Sequence, residues 1–299
     1  MRRHSLMTSC AVLVAICTLA ETRDPRVKTL RVNGVDLAHV DQGRGEPVVL
    51  IHGAMHDYRV WSEQWPELSK RYRVIAYSRR YHHPNRPPGK ASEYSVSAHA
   101  ADLVALAKAL KLGRAHLVGH SAGANIAALV ARAQPEVVRS LVLGEPLLPA
   151  VLGRSAEGKA LLPLKFGAEA RQAFQKGDIE GAARIIAKGV LGRDAYDEMP
   201  SDRRRILLEN LPRQMTAEGS TPPAPLAFTC EDASRIAAPT LLLMGDRTPR
   251  FFQLTIEELQ KCLPGSERAV LPQSSHGLQL ENPVGFNQVV SEFLSRRAR

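Results

Sequence analysis

The sequence has no apolar run that would cross a membrane comfortably, which takes about 20 residues. The apolar stretch at its beginning covers only residues 6–19. Internal repeats and low-complexity segments are missing, which excludes solenoid and fibrous architectures. Metal-ligand spacing is missing too. His82 and His83 lie side by side, but no carboxylate or further histidine stands at ligand distance from them, so no metal or other cofactor is expected. The net charge is +10, yet the cations are dispersed and aromatics make up only 5% of the chain. Arg203-Arg204-Arg205 opens a helical stretch, and Arg296, Arg297 and Arg299 form a tail. Neither is interleaved with aromatics, and no nucleic-acid motif accompanies them, which argues against a nucleic-acid partner. Weak attraction to anionic envelope surfaces is the blander reading.

Cysteine is scarce, with four in 299 residues. Cys10 and Cys17 fall in a segment with the layout of a secretory signal peptide. Arg2 and Arg3 form its basic start, residues 6–19 its apolar core, and Thr18-Leu19-Ala20 a small-residue cleavage site before Glu21. We therefore expect residues 1–20 to be removed and the protein to be exported, periplasmic or secreted, without stable membrane insertion after cleavage. An uncleaved anchor is the alternative. The Arg2-Arg3 pair leaves general and twin-arginine export open. The mature chain then carries a charge of about +8 and two cysteines, Cys230 and Cys262. Either they are two separate buried thiols or, as an oxidising compartment permits, a disulfide. A helix returning antiparallel to a strand at 240–244 brings the pair within reach of each other.

Strand-like apolar runs alternate with helical patterns, so the fold class is α/β, a mostly parallel sheet flanked by helices. A hairpin over 28–33 and 35–41 turns at Asn33-Gly34. Further strands are read at 47–51, 73–77, 115–118, 137–143, 240–244 and 269–271. Helices are read at 61–70, 98–110, 122–134, 251–263 and 282–295. Between 147 and 225 the sheet pattern stops. Short helices at 174–191 and 204–215 and a Pro-rich return at 220–225 read as a helical cap inserted into a core formed by 21–146 and 226–299.

The informative motif is Gly119-His120-Ser121-Ala122-Gly123, between a buried strand and a helix. Two glycines around a serine arise by chance in roughly one chain in ten of this length. The strand-turn-helix setting makes the motif a nucleophile elbow, in which a strained turn lifts the serine hydroxyl clear of both elements. A serine needs a base and the base an orienting acid. His276, in the loop after the last strand, is the best base. His116 reads as structural, and His82 and His83 as loop residues that rim the pocket. Asp246 ends a strand between serine and histidine in chain order and is the first candidate for the acid. Glu145, which ends the strand after the elbow unit, competes with it. The N–H groups of Ala54, in Ile51-His52-Gly53-Ala54-Met55, and of Ala122 are placed to hold a developing oxyanion.

Together His52-Gly53, the elbow, Gly245-Asp246 and Ser275-His276-Gly277 resemble the α/β-hydrolase fold family over residues 28–297. The resemblance implies Ser121 as nucleophile, His276 as base, Asp246 or Glu145 as acid, and Ala54 and Ala122 as oxyanion donors. Many relatives carry an Asp-x-Arg-Gly loop after the fourth strand, where this chain has Ser78-Arg79-Arg80-Tyr81-His82-His83. Ser121 argues against the dehalogenases and epoxide hydrolases of the fold, which use aspartate at the elbow. The implied reaction is hydrolysis of a small-molecule carboxylic ester, lactone or thioester through an acyl-enzyme. Met55, Leu147, Leu148 and apolar residues of the cap would suit a modest hydrophobic acyl or alcohol group. Alternatives are carbon–carbon bond hydrolysis, cofactor-free haloperoxidase-type activity, and a non-catalytic ligand-binding protein. Oligomeric state is not legible.

Overall fold

The computed structural model describes residues 26–89, 93–162, 164–219 and 226–297. The expected leader at 1–20 and the return segment at 220–225 lie outside the described residues. Strands β1 (Val27–Val32) and β2 (Val35–Gln42) form the expected hairpin, with Asn33 and Gly34 both at positive φ in its turn. Then come β3 (Pro47–Ile51), a one-turn helix α1 (Trp65–Leu68), β4 (Arg73–Tyr77) and α2 (Val96–Ala109). The elbow joins β5 (Ala115–His120) to α3 (Ala122–Ala133), and β6 (Val138–Gly144) follows. The expected helix at 61–70 is instead a 3-10 turn, Tyr58–Trp61, followed by α1. Asp57 ends its loop by accepting the Arg59 N–H, which starts the helical turn early.

After β6 come α4 (Pro149–Leu152), α5 (Ala156–Leu161), α6 (Phe166–Gln175), α7 (Ile179–Leu191) and α8 (Ser201–Glu218). The single helix expected at 174–191 is broken. Gly177 adopts a φ of +83°, and Asp178 caps α7 by accepting the Gly181 N–H at 2.8 Å. The core resumes with α9 (Cys230–Ser234), β7 (Thr240–Gly245), α10 (Arg250–Cys262), β8 (Glu267–Leu271), α11 (Leu278–Glu281) and α12 (Pro283–Ser295). Among the described residues, no helix is long and apolar enough to cross a membrane.

The eight strands lie in the order β1-β2-β4-β3-β5-β6-β7-β8. β1 and β2 run antiparallel to their neighbours, and the rest are parallel. β3 and β5 are buried along almost their whole length, because helices cover both faces. Leu103, Leu106, Ile126 and Val130 from α2 and α3 seal one face, joined by Ile256 and Leu259 of α10. Trp61, Phe286, Phe293 and Leu294 seal the other. Each such large apolar side chain contributes roughly 1.5–3 kcal/mol by leaving water. Cys230 and Cys262 are joined in a disulfide with Cα atoms 5.1 Å apart, tying α9 to the end of α10.

The inserted helices carry their own apolar cluster, with Ala170, Ala183, Leu207 and Leu211 packed around Met55 from the loop after β3. α8 is tied to that loop by polar bonds as well. Gln214 accepts the Met55 N–H at 2.7 Å, and Asn210 donates to Asp57 at 2.7 Å. The insertion is thereby held over the carboxyl ends of the central strands, where ligands of open parallel sheets bind.

Candidate active site

Ser121 sits between β5 and α3 with φ 53° and ψ −121°, a conformation a non-glycine residue holds only under constraint. The constraint is visible. Ser121 N–H donates to Gly144 O at 2.7 Å, and the first turn of α3 closes on Ser121 O. The flanking glycines are steric necessities. A Cβ on Gly123 would stand 2.0 Å from Ile51 O, and one on Gly119 would stand 2.5 Å from Gly123 O. Strand-to-helix crossing at this distance leaves no room for a side chain.

His276 follows β8 and is buried, its ring stacked on Phe252 at 3.9 Å between centroids. Its Nδ1 lies 2.6 Å from Oε2 of Glu145, so the structure brings Glu145, and not Asp246, to the histidine. This corrects the order of preference between the two candidate acids. Asp246 is exposed, and its Oδ1 is taken by the Ser274 N–H at 3.1 Å. Glu145 leaves β6 at φ 45°, and its fully buried carboxylate turns across the end of the neighbouring strand β7. There it accepts from Gly245 N–H and Thr248 Oγ1–H, both at 2.8 Å.

A carboxylate on Nδ1 keeps the proton on that nitrogen and leaves Nε2 bare, the tautomer a general base needs. Burial holds the His276 imidazole below its ordinary value, hence neutral and able to accept a proton. Burial also pushes the Glu145 carboxyl up, while the Gly245 and Thr248 donors favour its charged form.

Sequence reasoning missed what surrounds this pair. His120, inside the elbow motif itself, donates from Nε2 to the His276 carbonyl at 2.7 Å. Glu281 accepts the N–H and hydroxyl of Ser275, fixing the loop that carries His276. His56 lies beside the site and lines its cavity. His116 is bound to Ser140 Oγ at 2.7 Å in the sheet, as its structural reading expected. The expectation that His82 and His83 rim the pocket is not met. His82 is fully buried, with Nδ1 2.6 Å from His56 O, and neither residue lines the cavity.

Ser121 and His276 share a cavity of about 260 Å³ with Gly53 and Ala54 on the core side. Ala122 is the first residue of α3, so its N–H has no partner within the helix. The opposite wall comes from the insertion, with Ile186, Val190, Leu191, Met199 and Leu207. Met55, Leu147 and Leu148, expected at the pocket, are not among its lining. Met55 is consumed by the insertion cluster, and Leu148 belongs to the core.

Comparison with known proteins identifies the family. The profile of the alpha/beta hydrolase fold matches residues 46–283. The chain is 31% identical over 280 residues to a non-heme chloroperoxidase of Kitasatospora aureofaciens, covering 88% of this chain and 98% of that one. It is 30% identical over 276 residues to a 2-hydroxy-6-oxo-2,4-heptadienoate hydrolase of Pseudomonas putida, covering 88% and 94%. Among solved structures, the N-acyl homoserine lactone degrading enzyme Est816 superposes with a TM-score of 0.67 at 26% identity, covering 89% of this chain and all of the other. The chain belongs to the α/β-hydrolase fold family.

Proposed function

We propose that this hydrolase cleaves a carboxylic ester, lactone or thioester through an acyl-enzyme on Ser121. The single observation that carries the reading is the buried Glu145–His276 pair, whose histidine shares one cavity with the elbow serine. In this reading His276 Nε2 takes the Ser121 proton as Oγ attacks the carbonyl carbon. The N–H groups of Ala54 and Ala122 receive the oxyanion. The imidazolium, stabilised by Glu145, then protonates the leaving oxygen or sulfur, and the bond to it breaks. Water then gives a proton to His276 as its oxygen attacks the acyl carbon, and His276 passes that proton to Ser121 Oγ as the acyl–Oγ bond breaks and the acid leaves. The inserted helices act as a cap over this site.

The cap wall supports a substrate carrying a carboxylate. Arg193 is engaged by Glu198 at 2.8 Å and stands 3.6 Å from Glu281. Arg203 lines the same cavity and, among the described residues, forms no ion pair. A half-buried guanidinium without a counterion suits an anionic group of the substrate. The heptadienoate hydrolase is named for such a carboxylate, which favours carbon–carbon bond hydrolysis as the second reading. Export is part of the proposal, supported by the Cys230–Cys262 disulfide.

The test is a fluorophosphonate labelling of the protein, followed by peptide mass spectrometry, beside turnover of short-chain nitrophenyl esters and of a dienoate ketone. A single adduct on Ser121, lost in Ser121→Ala and His276→Ala together with ester turnover, is expected. Labelling with dienoate cleavage alone transfers the assignment to the second reading. Folded protein with neither adduct nor turnover overturns both.

A further inference from the structure

Arg79 is 2% exposed, yet among the described residues it forms no ion pair, and its Nε has no hydrogen-bond partner. Its neighbour in sequence behaves in the ordinary way. Arg80 binds both oxygens of Asp102 at 2.7 Å, the expected manner for a buried guanidinium. A buried cation without a counterion is costly, by several kcal/mol in typical cases. His52, His82 and His99 lie around it, and burial keeps each of them well below its ordinary value, with the charge of Arg79 acting in the same direction.

What Arg79 touches gives the reason. Its Nη2 donates to Gly53 O at 2.9 Å, and His52 Nδ1 lies 2.8 Å from the same oxygen. A carbonyl only accepts, so His52 carries its proton on Nδ1. The bare Nε2 of His52 in turn accepts the Arg79 N–H at 2.9 Å. Gly53 O and Ala54 N–H are the two ends of one planar peptide unit. Donors on the oxygen of an amide polarise it and strengthen the N–H at its far end, by about 10–30% per bond. Ala54 also lines the cavity beside Ser121.

We propose that Arg79 is a positioning residue for acyl transfer: through Gly53 O it orients and polarises the peptide whose N–H meets the oxyanion, and its missing counterion is the transition-state oxygen itself. The inference rests on the assignment of Ser121 chemistry above. It explains why a buried cation persists without a carboxylate. The negative charge it faces exists only while the tetrahedral species does, so the stabilisation is differential and raises kcat.

The experiment compares the full chain with Arg79→Met and Arg79→Lys, with folding checked by near-ultraviolet circular dichroism. Three quantities are read: kcat and KM on a neutral nitrophenyl ester, and Ki for a trifluoromethyl ketone, which binds as a tetrahedral oxyanion. Arg79→Met is expected to lower kcat on the order of tenfold, less than removal of an oxyanion donor outright. KM should stay within about twofold, and Ki should weaken by the same factor as kcat/KM. Arg79→Lys should recover part of both losses. The infrared carbonyl band of the acyl-enzyme should move to higher frequency in Arg79→Met. If Arg79→Met does not fold, Arg79→Gln carries the same comparison. A folded neutral variant with unchanged kcat and Ki, in a protein that labels on Ser121, overturns this inference alone. Native protein without Ser121 labelling overturns the inference together with the reading it rests on.

Discussion

Glu145 Oε2 and His276 Nδ1 meet at 2.6 Å across the end of β7, although 131 residues separate them in the chain. The contact exists because β6 and β7 are parallel neighbours and β8 delivers the histidine from the far side of β7. It carries a direct mutational consequence.

Glu145→Gln keeps the shape but loses the charge that holds the Nδ1–H tautomer. We expect kcat to fall by roughly 10³–10⁴, in line with the loss when a triad carboxylate becomes an amide. Asp246→Asn should leave kcat/KM within about threefold, because Asp246 caps the Ser274 N–H and does not touch His276. Steady-state kinetics of the two variants with the same ester decide the matter. Equal losses would return Asp246 to the mechanism.

The pH dependence of kcat/KM follows from the buried imidazole. A base at the ordinary histidine value would be about 10% active at pH 5.5 relative to its plateau. Burial holds His276 lower than that ordinary value, so the neutral form survives further into acid. More than half of plateau kcat/KM should remain at pH 5.5, measured by pH jump before any unfolding. An acid limb centred at 6.5 would contradict it.

Stability should move in the opposite sense. His52, His82, His99 and His120 are buried, and burial lowers all four well below 6.5. Between 6.5 and those lowered values the unfolded chain binds protons that the folded chain refuses. Stability is therefore full above 6.5 and falls as pH drops below it. The loss from pH 6.5 to 5.5 is about 1 kcal/mol per histidine, on the order of 4 kcal/mol for the four. Urea unfolding at the two pH values measures it, and an unchanged midpoint would refute the neutral cluster.

Arg203 offers a test of substrate class. Arg203→Met should raise KM for an ester bearing a remote carboxylate by about tenfold, the loss of one charge-assisted contact. KM for the matching neutral ester should hold. Equal changes for both esters would mean that Arg203 shapes the wall without reading charge.

The elbow was legible in the sequence because its constraints are local. The glycines at 119 and 123 are demanded by backbone only a few ångströms away, and the flanking strand and helix announce themselves by apolar runs. The same holds for the sheet, the hairpin at Asn33-Gly34 and the loop carrying Ala54. Helix breaks were less legible. Gly177 and Asp178 do hold the signal for the break inside 174–191, but the apolar pattern runs through them.

The choice of acid had no local signature. Glu145 and Asp246 each end a parallel strand, and only the positive φ of Glu145 and the donors of Gly245 and Thr248 select one carboxylate. Arg79 was equally silent, since a run of two arginines reads as solvated charge until the fold buries both and gives a carboxylate only to Arg80. The sequence alone determined the fold family and marked the elbow serine, the histidine after the last strand and the loop carrying Ala54. Only the tertiary structure decided which acid meets the base, which residues wall the cavity and which cation stands behind the peptide at Ala54. The physical reason is range: turn sterics and apolar periodicity act over a few residues, whereas burial and hydrogen-bond partnership are settled when distant strands come side by side.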